Sequence, residues 1–334
     1  MFALRLPLLR PAQRLLAAFA CAALLCGVAQ AAGLTVLMTD DNAAHLDFVR
    51  QLREHQEPGS RFDLIHLSAA DTMGGRADDR VAPGGRPARM VARRNAPLVL
   101  SDDQVTVAVG LDAACAAIDY PGRSPLVLAM LSRLDYESLK GNAALHHPER
   151  PIAVLFREPA MSDQLALIDA VLPARPRLGV IASAESEPIV GELQRAAQGW
   201  DLQIEYAPDP KSLAAALRRL VPRSDALMVL PDMVGDNQAA TLAVLRAGAG
   251  AGLPVFGSSE GLVRSGGLAA AVATPDQLAQ QADALGRRLA SGPPPAALLV
   301  EAATPATVRV NTTVARALGL HLPDERDLTA RVIR

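Results

Sequence analysis

Short apolar runs alternate with longer amphipathic stretches along most of this chain, and that alternation admits few architectures. Runs such as Val105-Thr106-Val107-Ala108-Val109 and Leu126-Val127-Leu128-Ala129-Met130 are apolar on both faces of an extended strand, so each needs cover on both sides. The intervening stretches supply it. Leu165, Ile168 and Leu172 recur at helical spacing, as do Leu213, Leu217 and Leu220, and Leu278, Ala282, Leu285 and Leu289, which buries one helix face against a sheet. The pattern predicts strands over 34–38, 62–67, 105–109, 126–130 and 152–156, then over 178–181, 202–206, 226–230, 254–256 and 268–272, each separated by helix. The fold class is α/β with mostly parallel, doubly wound sheets. At roughly 150 residues per domain, 334 residues suggest two lobes.

Half of the residues are hydrophobic and 20% are charged, which excludes a disordered chain. The 33 basic residues are spread along the sequence, and only 3% of positions are aromatic. No basic, aromatic-interleaved footprint of a nucleic-acid binder results.

Residues 1–31 read as a cleavable secretory signal peptide. Arg5, Arg10 and Arg14 precede an uncharged apolar stretch from Leu15 to Val28, and Ala29-Gln30-Ala31 closes it. A lipoprotein alternative would acylate Cys21 or Cys26, but Leu25 is bulky for the position before the modified cysteine. Cleavage takes the net charge from -2 to -5 and leaves Cys115 as the one thiol, so no intrachain disulfide is expected. Cys115 sits among alanines and reads as a helix-face residue. Residues 69–97, rich in Gly, Pro and Arg, have no sustained period and read as a surface excursion.

In an open parallel sheet, ligands bind beyond the carboxyl ends of strands. That rule selects Thr39, Asp40, Gly110, Asp112, Ser132 and Arg133 in the first half, and Ser183, Asp232, Ser258 and Glu260 in the second. Each set ends a strand and precedes a helix, where amides and hydroxyls can hold a carboxylate or phosphate. Asp112 and Asp232 fit two roles, ligand contact or helix N-cap. Arg133 could clamp an anion, pair with Asp135 or stand in solvent. Tyr136, Phe156 and Trp200 could stack on a ligand or pack in the core.

Several segments of the second half then resemble one family. Ser224-Asp225-Ala226-Leu227, Leu230-Pro231-Asp232, Leu253-Pro254-Val255-Phe256-Gly257-Ser258, Leu262-Val263-Arg264-Ser265-Gly266-Gly267-Leu268-Ala269 and Val308-Arg309-Val310-Asn311-Thr312-Thr313-Val314-Ala315 are similar to the ABC transporter substrate-binding proteins of the type I periplasmic-binding fold. Leu172-Pro173 with Leu178-Gly179-Val180 resembles that family's entry to its second lobe, and Val107-Ala108-Val109-Gly110 its first-lobe ligand loop. Ser132-Arg133-Leu134 stands where many members carry Asp-Pro, and Phe156-Arg157-Glu158-Pro159 also departs, so the chain looks like a short, divergent branch.

The resemblance implies a three-crossing hinge, with crossings expected near 156–159, 273–275 and 292–295. It assigns 32–157 plus 275–292 to the first lobe and 158–274 plus 293–334 to the second. It also implies a periplasmic solute-binding protein that works with the permease and ATPase of an ABC importer, with an amino-acid-like ligand favoured and Asp232 the preferred ligand contact. The alternative is an orphan binding or sensor protein assisting another uptake or signalling system, such as an outer-membrane receptor.

Enzyme signatures are weak. Gly248-Ala249-Gly250-Ala251-Gly252 follows a helix and precedes a strand, the reverse of a dinucleotide fingerprint, and no Gly-x-Ser-x-Gly elbow occurs. His146-His147 lacks a third ligand at metal-binding spacing. No catalytic residue, metal or cofactor is expected.

Overall fold

The computed structural model describes residues 33–67, 100–101, 104–146, 150–174, 176–292, 297–305 and 307–333. Residues 1–31, expected to be a signal peptide, and the Gly/Arg-rich stretch over 69–97 lie outside the described residues. The rest forms two six-stranded sheets.

The first sheet contains β1 (Leu34–Met38), β2 (Phe62–His66), β3 (Val105–Val109), β4 (Leu126–Leu131), β5 (Ile152–Pro159) and β11 (Leu299–Ala303), in the order β11-β5-β4-β3-β1-β2, with every pairing parallel. The second contains β6 (Leu178–Ala182), β7 (Leu202–Tyr206), β8 (Ala226–Val229), β9 (Val255–Gly257), β10 (Ala269–Val272) and β12 (Thr307–Val310), in the order β12-β10-β9-β8-β6-β7. Only β12 runs antiparallel, against β10. Sequence decides which strands are central. β1, β3 and β4 are buried throughout and apolar apart from Thr35 and Thr106, whereas Phe62-Asp63-Leu64-Ile65-His66 and Leu202-Gln203-Ile204-Glu205-Tyr206 carry charged and polar residues and form sheet edges.

The first lobe takes α1 (Ala43–Glu54), α2 (Leu111–Asp119) and α3 (Arg133–Leu139); the second takes α4 (Met161–Val171), α5 (Glu187–Ala196), α6 (Pro210–Leu220), α7 (Gln238–Ala251) and α8 (Glu260–Arg264). Helix α9 (Pro275–Ser291) follows β10, and α10 (Thr312–Ala317) and α11 (Glu325–Val332) follow β12. Thr274 caps α9 by accepting the amide of Gln277, with Pro275 in the first turn. Gly252, at φ +68°, ends α7, so the glycine run closes a helix. Cys115 lies half-buried on α2 against the first-lobe core. No described helix is long and apolar enough to cross a membrane.

Helix α9 belongs to the first lobe although it follows the second lobe in the chain. Leu278, Ala282, Leu285 and Leu289 are buried together with Val36, Phe48, Leu52 and Val127, against α1 and across β3, β4 and β5. Strand β11 then corrects the assignment of 293–334 to the second lobe. A strand that follows a helix packed on a parallel sheet pairs most readily with that same sheet, and β11 pairs with β5 at Leu299 to Ala153 and Val300 to Val154. The last crossing therefore lies between β11 and β12; the expected position over 292–295 falls, after Gly292, outside the described residues. The other two lie between β5 and α4 and between β10 and α9.

This packing makes a specific prediction about cooperativity. Leu285 is 2% exposed, and Leu285→Ala should cost about 2–5 kcal/mol as a large-to-small core change. The loss should appear mainly in the first lobe. The one tryptophan, Trp200, reports the second-lobe core, so in urea the midpoint by far-UV circular dichroism should fall further than the midpoint by tryptophan fluorescence; equal shifts would contradict the assignment.

Candidate functional site

Both sheets reverse their strand order at equivalent places, between β1 and β3 and between β6 and β8. These switch points are where a crevice normally opens. Here both are closed by their own loops. In the first lobe, Asp40 accepts the Asn42 amide at 3.0 Å and meets His45 Nδ1 at 2.9 Å, while Asn42 caps α1. The His45 ring lies over Gly110, where an added Cβ would stand 2.7 Å from Cε1. Gly110 has φ +82° and ψ 173°, a region essentially restricted to glycine. Thr39 is half-buried beside this turn, and Asp112 is exposed in the first turn of α2.

The second lobe's switch point centres on Asp232, which is wholly buried. Its Oδ2 accepts the Ser183 amide at 3.1 Å and the Ser186 hydroxyl, and Oδ1 accepts the amides of Val234 at 2.9 Å and Gly235 at 3.1 Å. The Ser183 and Ser186 hydroxyls bond each other at 2.7 Å. Asp232 is thus not a helix N-cap. With both oxygens engaged inside the protein, it folds the loop between β8 and α7, and Asn237 caps that helix instead. Gly235 allows the close approach this needs, since a Cβ there would stand 2.1 Å from the Leu230 carbonyl oxygen.

After β4, Ser132 caps α3 and forms a capping box with Asp135. Arg133 does not pair with Asp135, stand in solvent or open towards an anion. It is 5% exposed and pairs with Glu192 of α5 in the opposite lobe. Tyr136 and Phe156 pack on each other with ring centroids 5.6 Å apart, and Trp200 packs against the second-lobe core.

The open space lies nearer the hinge. A cleft of about 370 Å³ is lined by Ala44, Met130, Arg157 and Glu158 from the first lobe, by Pro231, Asp236, Ser258, Glu260 and Arg309 from the second, and by Ala273 to Pro275 at a crossing. Of the positions expected from sequence, it brings together Ser258 and Glu260. Arg157 Nε donates to Glu158 at 2.8 Å, and Arg157 Nη2 reaches Asp236 across the cleft at 3.4 Å. Glu260 lies 3.1 Å from Arg264 and 3.9 Å from Arg309. Burial pushes the carboxyls of Glu158 and Asp236 up, against the pull of Arg157 on both.

Met130, Leu262, Val272 and Leu278 supply apolar wall. Met130 sits at φ +60°, where the register between β4 and β5 shifts. A left-handed methionine is a strained backbone held in place by its surroundings. Arg157, Glu158, Asp236 and Arg309 escaped the strand-end rule. One signal for the first two was present: the apolar run Ile152-Ala153-Val154-Leu155-Phe156 ends in an Arg-Glu pair. The arrangement places both signs of charge on facing walls, which suits a small polar or zwitterionic ligand.

The family model for ABC transporter substrate binding proteins matches residues 90–331. No curated protein matches the chain. Among solved structures, a substrate-binding protein with adhesive properties from Clostridium difficile, in its ligand-free open form, is 17% identical, with 87% of this chain and 96% of that one covered at a TM-score of 0.62. The ABC domain from Streptococcus pneumoniae in complex with L-Trp is 17% identical, with 88% and 96% covered at a TM-score of 0.54. A conserved domain protein from Vibrio cholerae is 21% identical, with 90% and 98% covered, also at 0.54.

Two substitutions test the closed switch points. Asp232→Ala removes the acceptor of the Val234 and Gly235 amides and of the Ser186 hydroxyl and should cost about 3 kcal/mol in urea denaturation, the scale of lost hydrogen bonds to a charged group. An unchanged midpoint would favour its role as a ligand contact. Gly110→Ala should cost about 1–3 kcal/mol through its backbone region alone, with the His45 clash added.

Proposed function

The chain belongs to the ABC transporter substrate binding protein family, and from that premise we propose that it captures a small, amino-acid-like solute in the interlobe cleft and delivers it to the permease and ATPase of an importer. Its architecture is the type I periplasmic-binding fold, two doubly wound lobes tied by crossings. The observation that carries the reading is the placement of charge in the cleft. Arg157 and Glu158 come from the first lobe, and Asp236, Glu260 and Arg309 from the second. A zwitterion can give its carboxylate to a guanidinium and its ammonium to a carboxylate, and it gains most when the lobes meet around it.

The lining also bears on size. The pneumococcal neighbour is seen with L-Trp, whereas this cleft has no aromatic side chain among its described lining residues. An aliphatic or polar side chain fits the walls of Met130, Leu262 and Val272 better than an indole does. The segment over 1–31 supports capture outside the cytoplasm, where an importer collects its solute.

A thermal-shift screen against amino acids, sugars, nucleosides and short peptides tests the proposal, because a ligand selective for the native state raises the melting temperature. Small amino acids should give the largest shifts. Arg157→Ala should then weaken binding of the best amino acid about ten- to a hundredfold, the equivalent of a charge-assisted hydrogen bond worth about 1.5–3 kcal/mol. Shifts from sugars alone, or undiminished affinity in Arg157→Ala, would contradict the amino-acid reading. Silence across the panel, followed by capture of an outer-membrane receptor in a pull-down, would favour the accessory role.

A further inference from the structure

Beside the cleft, one guanidinium stands between two carboxylates. Arg133, on α3 of the first lobe, donates from Nε and Nη2 to the two oxygens of Glu192 on α5 of the second, the latter bond at 3.0 Å. Glu192 is held in its own lobe by the amide of Met161, which donates to Oε1 at 2.8 Å. The remaining nitrogen of Arg133, Nη1, has no hydrogen-bond partner. It faces Oε2 of Glu158, also enclosed and also without one, at 3.8 Å. Glu158 sits on β5, in the same lobe as Arg133, and both side chains are almost fully buried. The guanidinium rests over the Phe156 ring, 5.1 Å from its centroid.

Two buried, oppositely charged groups held just short of a hydrogen bond form a costly arrangement. Its origin is geometric: Arg133 is committed to the other lobe by two bonds, so it cannot complete the third. When the lobes separate, Glu192 moves with α5 and Met161, and Glu158 is the acceptor left beside Arg133. The displacement required is small, because Met161 adjoins the crossing at Ala160, where rotation carries atoms only a short way. Arg133 and Glu158 share a lobe, so the 3.8 Å between them is closed by a movement of the Arg133 side chain once Glu192 withdraws.

We propose that Arg133 is a two-position switch for lobe closure, paired with Glu192 across the lobes when they are together and with Glu158 within its own lobe when they part. Closure then exchanges one carboxylate for another and never leaves the guanidinium bare, which keeps both states accessible. Glu158 also lines the cleft, so a ligand ammonium that takes Glu158 removes the open-state partner and favours closure. That last coupling rests on the solute-binding reading; the switch itself does not.

Small-angle X-ray scattering of the purified, ligand-free protein tests the switch through two chemically equivalent substitutions. Glu192→Gln removes charge from the closed-state partner and should increase the radius of gyration. Glu158→Gln removes it from the open-state partner and should leave the radius unchanged or smaller. Should Glu158→Gln fail to fold, Glu158→Asp, which withdraws the carboxylate from Arg133, should act in the same direction. In an Arg133→Met background, neither carboxylate change should move the radius further. Expansion by both Glu→Gln variants, expansion by neither, or a Glu192→Gln expansion that persists without Arg133 would overturn the proposal, provided circular dichroism shows the fold intact. With no ligand present, these outcomes do not depend on whether the solute screen succeeds.

Discussion

Leu278, Ala282, Leu285 and Leu289 close one face of a sheet whose other strands, β11 apart, lie far earlier in the chain. That burial dictates the topology. One face of the first lobe's sheet is covered only in part, by α1, until the chain has built most of the second lobe and returned, so the lobes cannot be independent beads on a linker. The return brings β11 to pair beside β5, and the final crossing then commits β12 to the second sheet as its antiparallel edge. Each lobe is completed by chain that has visited the other. The hinge is therefore a by-product of satisfying two apolar sheet faces, and the cleft exists because crossings hold those two sheets side by side.

Strands were legible in sequence where an apolar run was continuous and also where apolar and polar residues alternate, as in Phe62 to His66 and Leu202 to Tyr206. Val105 to Val109 is apolar at all but one position and buried throughout, so period and composition agree. β11, Leu299-Val300-Glu301-Ala302-Ala303, is an edge strand with only Ala303 fully buried, and it follows a proline run that reads as a connector. Nothing local in its sequence names its sheet; its neighbour β5 does. The strand-end rule selected Asp232 and Ser183 but could not show that they would bond each other, or that Ser186, Val234 and Gly235 would also engage the carboxylate. Arg133 was legible as a charged residue at a strand end. Its partner Glu192 lies on another lobe's helix and is fixed by tertiary packing alone.

Closing both switch points has a consequence for recognition. The ordinary place for a ligand in a parallel sheet is filled by a histidine over a glycine in one lobe and by a hydrogen-bonded aspartate in the other, so the free volume lies beside the crossings. Walls close to a rotation axis move little when lobes turn. The cleft's charges are already paired with one another in this arrangement of the lobes, with Arg157 spanning from Glu158 to Asp236. Preorganisation of this kind lowers the cost of ordering side chains on binding.

Near the same axis, two ion pairs among the described residues join the lobes, Arg157 with Asp236 and the more deeply buried Arg133 with Glu192. Exposed ion pairs contribute little because water competes for both partners. Around Arg133 water is largely excluded, so any state that left the guanidinium or Glu158 without compensation would be penalised heavily. Burial already raises the Glu158 carboxyl despite two neighbouring arginines, which marks the site as one where charge is held at a cost. A buried charge with a single possible partner would lock the lobes in one arrangement. A second carboxylate on the other side of the crossing, as proposed for Glu158, would instead permit a small rotation between two satisfied states, and because Glu158 also lines the cleft a charged solute bound there would enter the same competition.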